Sequence, residues 1–173
     1  MGAAILDYQT TGRAGRLRVL SSMFDEDEIP VAHLFRSPAE MPPLEQRALT
    51  EARGRVLDVG AGAGCHSLAL QQRGMEVCAA DISALSCEAM RLRGIRDVRC
   101  MDVLRDHIND RFDTILLLMN GTGIAGTLGR LPAFLGRMAA LLAEGGQILI
   151  DWSDLKYLYE TEDGSHDIDL LSA

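Results

Sequence analysis

Three glycines at alternate positions, Gly60, Gly62 and Gly64, follow the apolar run Val56-Leu57-Asp58-Val59 and lead into Cys65-His66-Ser67. Glycine suits a backbone that must turn sharply or approach a ligand with no Cβ in the way. If a helix starts there, its unpaired N–H groups face a polar or anionic ligand. The pattern describes a loop that cradles a small molecule against main chain, with a tight turn that serves only the fold as the plainer alternative. Two acids sharpen the first reading. Asp58 interrupts an apolar strand, and a buried carboxylate needs a partner such as loop N–H groups or an amine-bearing ligand. Asp81 closes the next apolar run, Val77-Cys78-Ala79-Ala80. Nucleotide-binding α/β folds place there a carboxylate that accepts hydrogen bonds from ribose hydroxyls. A nicotinamide-binding oxidoreductase is disfavoured, because Cys65 stands where the G-x-G-x-x-G fingerprint wants its last glycine.

Positioning these groups requires strands and helices in alternation, and the chain supplies them. Short apolar runs recur at 55–59, 76–80, 98–101, 112–119 and 147–150. Segments of helical period separate them, one opening at Ser67, one over 82–92, and one carrying Leu131, Phe134, Leu135, Met138, Leu141 and Leu142 on one face. Such alternation predicts βα units and a mostly parallel sheet. Gly145-Gly146 reads as a C-cap and turn before the fifth strand. Residues 1–54 are the least periodic. The charged, Pro-closed stretch 24–30 reads as loop, and Pro43 with Leu44 and Ala48 as the start of a helix.

Composition excludes several classes. Among 173 residues, 47% are hydrophobic and 24% charged, the balance of a globular domain. The net charge is −8, from 17 basic and 25 acidic residues, and residues 151–173 alone carry −6. A body with no basic excess disfavours nucleic acid as a partner. Cys65, Cys78, Cys87 and Cys100 show no metal-ligand or redox spacing, so no metal is expected. No leader pattern opens the chain, and no apolar run approaches the ~20 residues of a membrane span. A cytoplasmic address without membrane attachment is the expectation.

The arrangement resembles the class I S-adenosylmethionine-dependent methyltransferases. The resemblance rests on residues 56–64, Asp81-Ile82-Ser83, Asp102, Phe112-Asp113-Thr114-Ile115 and the glycine turn with fifth strand at 145–150. Leu34-Phe35-Arg36-Ser37 and residues 117–127 are similar to a bacterial methyltransferase-domain subgroup. The fold implied is α/β, a Rossmann-like doubly wound sheet with helices on both faces. Residues 1–54 would form an N-terminal lid or helical segment, 55–153 the cofactor-binding domain, and 154–173 an acidic tail that reads as loop or the start of an incomplete strand.

The function implied is methyl transfer from S-adenosylmethionine to a small-molecule acceptor, the alternative being a non-catalytic S-adenosylmethionine-binding module or remnant. By the resemblance, Gly60, Ala61, Gly62 and Gly64 bind the cofactor, the first three close to its methionine part. Asp58 orients the loop or the cofactor's amino group. Asp81 takes the ribose and Ile82 lies against the adenine. Asp102, with Val103 beside it, receives the adenine amino group, unless it only caps the turn it begins. Asn120 and Gly121 lie beside the sulfonium, unless they are an ordinary turn.

No catalytic dyad stands out. His66 reads either as a site residue or as a surface one. Arg36 reads as part of the lid or as a packed partner of Glu40 or Glu45. Asp151, Ser153 and Asp154 are acceptor-side candidates, with Tyr157 and Tyr159 as aromatic walls. The family's sheet usually has seven strands, and only five are legible by residue 152. The last strands are therefore expected to be missing, and self-association through strand five is the expected way to cover its edge.

Overall fold

The computed structural model describes residues 1–19 and 27–152. It opens on a helix that the apolar pattern does not announce, α1 (Gly2–Thr11), ended by Gly12 in the left-handed conformation. A short antiparallel hairpin follows, β1 (Leu17–Val19) paired with β2 (Asp27–Ile29), with Leu17 opposite Ile29. The expected loop over 24–30 is thus corrected at its end, where residues 27–29 pair as a strand despite their charge. A 3-10 turn (Val31–Phe35) leads to α2 (Pro43–Glu51), which starts on Pro43 as expected.

The sheet begins at β3 (Val56–Val59), followed by α3 (Cys65–Gln72), β4 (Val77–Asp81), α4 (Ala84–Leu92) and β5 (Asp97–Cys100). Then come β6 (Phe112–Leu117), α5 (Leu131–Ala139) and β7 (Leu142–Ile150). The order across the sheet is β5-β4-β3-β6-β7, and every neighbouring pair is parallel. β3 is central, which is why all four of its residues are buried. Its side chains alternate between faces. Leu57 and Val59 join Phe134, Met138 and Leu141 of the α5 side. Val56 joins Leu49, Leu70 and Leu116 on the α2 and α3 side. The mostly parallel, Rossmann-like sheet with helices on both faces is as expected.

β7 differs in extent from the expected 147–150. It runs back to Leu142, which pairs with Phe112, and the register slips before Thr114 meets Gln147. Gly145-Gly146 is therefore no helix cap. Gly145, at φ 72°, lies in the irregular part of the strand. A Cβ on Gly146 would sit 3.1 Å from the Phe112 carbonyl oxygen, so glycine permits the close approach of the two strands.

β3, β4 and β5 proceed one way across the sheet, and β6 and β7 the other. The order reverses between β3 and β6, and open α/β sheets leave a crevice at that point, above the strands' C-terminal ends. α1 packs onto α4, with Ile5, Leu34, Ala63 and Ala89 in one cluster, so the N-terminal segment sits over the glycine loop. Among the described residues no helix is long and apolar enough to cross a membrane.

Candidate functional site

A cavity of about 220 Å³ occupies the crevice between β3 and β6. Asp58 and the backbone of Gly60, Ala61 and Gly62 form one wall, and Leu118, Met119, Asn120 and Gly121 the other; Met1, Leu34 and His66 also border it. Two larger grooves, about 430 and 660 Å³, flank β7 instead and share Trp152. Neither touches the glycine loop, so the smaller cavity is where the chemistry-bearing residues meet.

The glycine loop owes its shape to positive φ at Gly60 (70°), Gly62 (58°) and Gly64 (75°), a region that side chains disfavour. Gly60 and Ala61 N–H both donate to the Ala80 carbonyl, at 2.8 and 3.1 Å, which pins the loop to the end of β4. A Cβ on Gly62 would meet nothing nearer than the Gly60 carbonyl oxygen at 3.9 Å. The space beside Gly62 is therefore open. Gly64 differs: its Cβ would fall 2.3 Å from Ile95 Cδ1, so this glycine serves packing at the N-cap of α3.

Asp81 faces the loop from the end of β4. Its Oδ2 accepts the Gly62 N–H at 2.8 Å and its Oδ1 the Ser83 N–H at 2.8 Å. A carboxylate has about four acceptor positions, so each oxygen keeps capacity for a further donor. Ile82 is 73% exposed beside it. Asp102 starts the turn after β5, where its Oδ1 accepts the Leu104 N–H at 2.9 Å and its Oδ2 lies 3.5 Å from Arg105. The capping arrangement is thus present. Val103 is buried in the main core with Phe112 and Ile108. Neither residue borders the cavity.

Beneath the loop lies a chain of buried charges. Ser67 Oγ donates to Asp58 Oδ2 at 2.6 Å. Burial pushes the Asp58 carboxyl up, against the nearby His66 charge and the Ser67 hydrogen bonds. His66 Nε2 and Glu45 Oε2 lie 2.7 Å apart, and Arg36 Nη2 donates to the same oxygen. Arg36 Nη1 donates to the His33 carbonyl at 2.7 Å, while its buried Nε has no hydrogen-bond partner among the described residues. Burial alone would depress His66. Hydrogen bonds to Cys65 and Glu45 and the Asp58 charge overcome it and lift the pKa to about 10. Burial likewise works against Glu45, yet the hydrogen bonds from His66 and Arg36 hold its carboxyl below the ordinary value.

Of the expected residues, the fold brings Asp58, Gly60, Ala61, Gly62, Asn120 and Gly121 around one cavity, with Asp81 at its rim through Gly62. Arg36 pairs with Glu45 and not with Glu40, which instead accepts from Ser37 in a capping box. His66 is buried, not on the surface. Sequence reasoning missed Met1 and Leu34 as walls, because nothing in 1–54 is periodic enough to place them. Ser153, Asp154, Tyr157 and Tyr159 lie outside the described residues, as do the acidic tail 154–173 and residues 24–26 of the charged stretch.

Comparison with known proteins agrees with this geometry. A family model described as a methyltransferase domain matches residues 56–146. A SAM-dependent methyltransferase from Bacteroides fragilis, solved with S-adenosyl-L-homocysteine, is 56% identical with a TM-score of 0.89, over 96% of this chain and 70% of that one. A ubiquinone biosynthesis O-methyltransferase of Rhodopseudomonas palustris (strain BisB5) is 32% identical over 101 residues, which is 56% of this chain. The match spans only 38% of that curated relative's length. The sugar N-methyltransferase KedS8 from Streptoalloteichus shares the fold at 22% identity and a TM-score of 0.57, over 80% of this chain and 61% of its own.

Proposed function

The chain belongs to the methyltransferase-domain family, and from that premise we propose that it binds S-adenosylmethionine in the β3–β6 cavity and transfers the methyl group to a small-molecule acceptor. The observation that carries the reading is the loop itself. Gly62 presents a Cβ-free surface to open space, while its N–H is held by the acid at the end of β4. When bound, S-adenosylmethionine supplies a methyl group on a sulfonium, which an in-line nucleophile takes.

The chain's part is to bind, align and exclude water. Gly60, Ala61 and Gly62 form the cradle for the methionine part, Gly64 supports it by packing under the loop, and Asp58 holds the loop's base through Ser67. Asp81 has acceptor capacity for the ribose, exposed Ile82 offers an apolar face for the adenine, and Asp102 has capacity for its amino group. Val103 supports Asp102 from the core. Asn120 and Gly121 form the wall on the acceptor side. His66, held protonated at neutral pH, is no general base. An acceptor with its own lone pair, such as an amine, fits these walls without one. Residues 1–54 act as a lid over the domain 55–153. The even charge of residues 55–150 supports a small acceptor over nucleic acid, and a cytoplasmic address fits that acceptor.

Thermal denaturation with S-adenosylmethionine, S-adenosylhomocysteine and NAD tests the binding. The first two should stabilise by about 2.7 kcal/mol at a hundredfold excess over Kd, and NAD by nothing. Stabilisation by NAD alone would overturn the reading. Binding without transfer to any amine, thiol or carboxylate acceptor would favour a binding module. We also propose that the 173-residue chain self-associates through β7. Among the described residues the outer edge of that strand has no partner, and apolar grooves lie along it. Light scattering across a dilution series should show dimers or larger species; a monomer at every concentration refutes this.

A further inference from the structure

Asp151 directly follows β7, where its own N–H donates to the Leu117 carbonyl of β6 at 3.2 Å. Its carboxylate reaches back to the other strand. Oδ2 accepts the Met119 N–H at 3.0 Å, and Oδ1 accepts the Asn120 N–H at 2.8 Å. Both donors have unusual backbones. Met119 has φ 58° and Asn120 φ 61°, and among the described residues no other non-glycine residue has positive φ. Two successive side-chain-bearing residues in the left-handed region persist only where the surroundings over-determine them. Packing holds the Met119 side chain only in part, since it is 40% exposed. The two hydrogen bonds to one carboxylate tie down both residues.

The turn so held is a wall of the cavity. Leu118, Met119, Asn120 and Gly121 border it, and the 3-10 turn Gly121–Ala125 follows, with the Gly123 N–H donating to the Asn120 carbonyl at 2.8 Å. That 3-10 turn brings Ile124 against the glycine loop, where a Cβ on Gly60 would be 3.1 Å from Ile124 Cδ1. Gly121 is pressed onto β6, its notional Cβ 2.8 Å from Leu117 Cβ. The position of residues 119–124 therefore sets how closely this wall approaches the loop opposite.

We infer that Asp151 is a positioning residue, whose carboxylate locks the left-handed Met119–Asn120 turn and so fixes the width of the cavity. That the cavity takes S-adenosylmethionine rests on the function proposed above; the lock itself does not. The experiment uses the whole chain with Asp151→Ala, Asp151→Asn and the double change Asp151→Ala with Asn120→Gly. Amide hydrogen exchange at residues 119 and 120, S-adenosylhomocysteine affinity by calorimetric titration, and the melting midpoint are measured together.

In Asp151→Ala the two amides should exchange faster, and affinity should fall about tenfold or more, as loss of hydrogen bonds to a charged group predicts. Asp151→Asn, which keeps one acceptor oxygen, should fall between. Asn120→Gly removes the Cβ penalty from half of the turn. The double variant should therefore recover part of the lost melting midpoint, because the strain that the Asp151 carboxylate offsets is then reduced. Unchanged exchange at both amides overturns the lock. A lowered melting midpoint with unchanged affinity overturns its role in the cavity. If the unaltered protein binds no S-adenosylhomocysteine, the function reading has failed, and the exchange rates still decide the lock.

Discussion

Gly62→Val should abolish S-adenosylhomocysteine binding while the protein still melts cooperatively. The backbone at Gly62 has φ 58°, so any side chain there is strained by roughly 1–2 kcal/mol, more for a β-branched one. That lowers stability without unfolding a domain of ordinary stability. The binding effect has a different origin. Among the described residues, its chain neighbours aside, only the Gly60 carbonyl oxygen, at 3.9 Å, comes within 4 Å of the added Cβ. The two methyl groups of valine would therefore project into space the protein leaves for a ligand. A loss of a hundredfold or more, about 2.7 kcal/mol, is expected in calorimetric titration. Gly64→Ala is the control from the same loop. Its Cβ meets Ile95 and Met90, so it should lower the melting midpoint through packing. If Gly62→Val still binds within a factor of two, the loop is only a tight turn.

That loop was legible because its signal is local. Alternate glycines after an apolar run and before Cys65 need no tertiary information, and the acid closing the next run falls into place through parallel pairing of β3 with β4. The face of α5 was legible for the same reason, since Phe134 and Met138 recur at helical spacing and both are buried; the same spacing ran on to Leu141 and Leu142, which lie beyond the helix, Leu142 opening β7. What was hidden depends on distant partners. Three residues per strand are too few for a period, so Asp27–Ile29 reads as charged loop until Leu17–Val19 lies beside it. Gly145-Gly146 has the composition of a helix cap, and only the nearness of the Phe112 carbonyl shows its use. Asp151 was visible as an acid at the ligand edge of the sheet. Its partners were not, because they are main-chain N–H groups of a left-handed turn built from Met119 and Asn120, where glycine would have announced it.

Glu45→Ala should cost about 3–5 kcal/mol, the usual effect of breaking a buried ion pair by removing one partner. Glu45 is 5% exposed, and it alone joins Arg36 of the segment before α2 to His66 of α3. Without it the Arg36 guanidinium and the His66 ring face each other with no carboxylate between them, and Cys65 and Asp58 remain beside His66. The pH dependence of stability should change with it. In the native protein His66 has a pKa of about 10, against 6.5 for the free group. Its stabilisation is therefore complete below about pH 6.5 and is lost as pH rises towards 10, with a slope of at most about 1.4 kcal/mol per pH unit. Glu45 acts in the opposite window. Its depressed carboxyl stabilises above its ordinary 4.5, and that contribution is lost as pH falls through the native value. Resistance of the unaltered protein to urea should thus fall between pH 6.5 and 9.5, and in Glu45→Ala this slope should flatten because His66 holds its proton less tightly. The cavity wall should suffer as well, since Leu34 and His66 both border the cavity and Arg36 anchors the turn that carries Leu34. S-adenosylhomocysteine affinity should then fall even at temperatures where the variant is folded. An unchanged urea midpoint, or a slope that persists without Glu45, would show that the Arg36–Glu45–His66 chain does not hold the N-terminal segment in place.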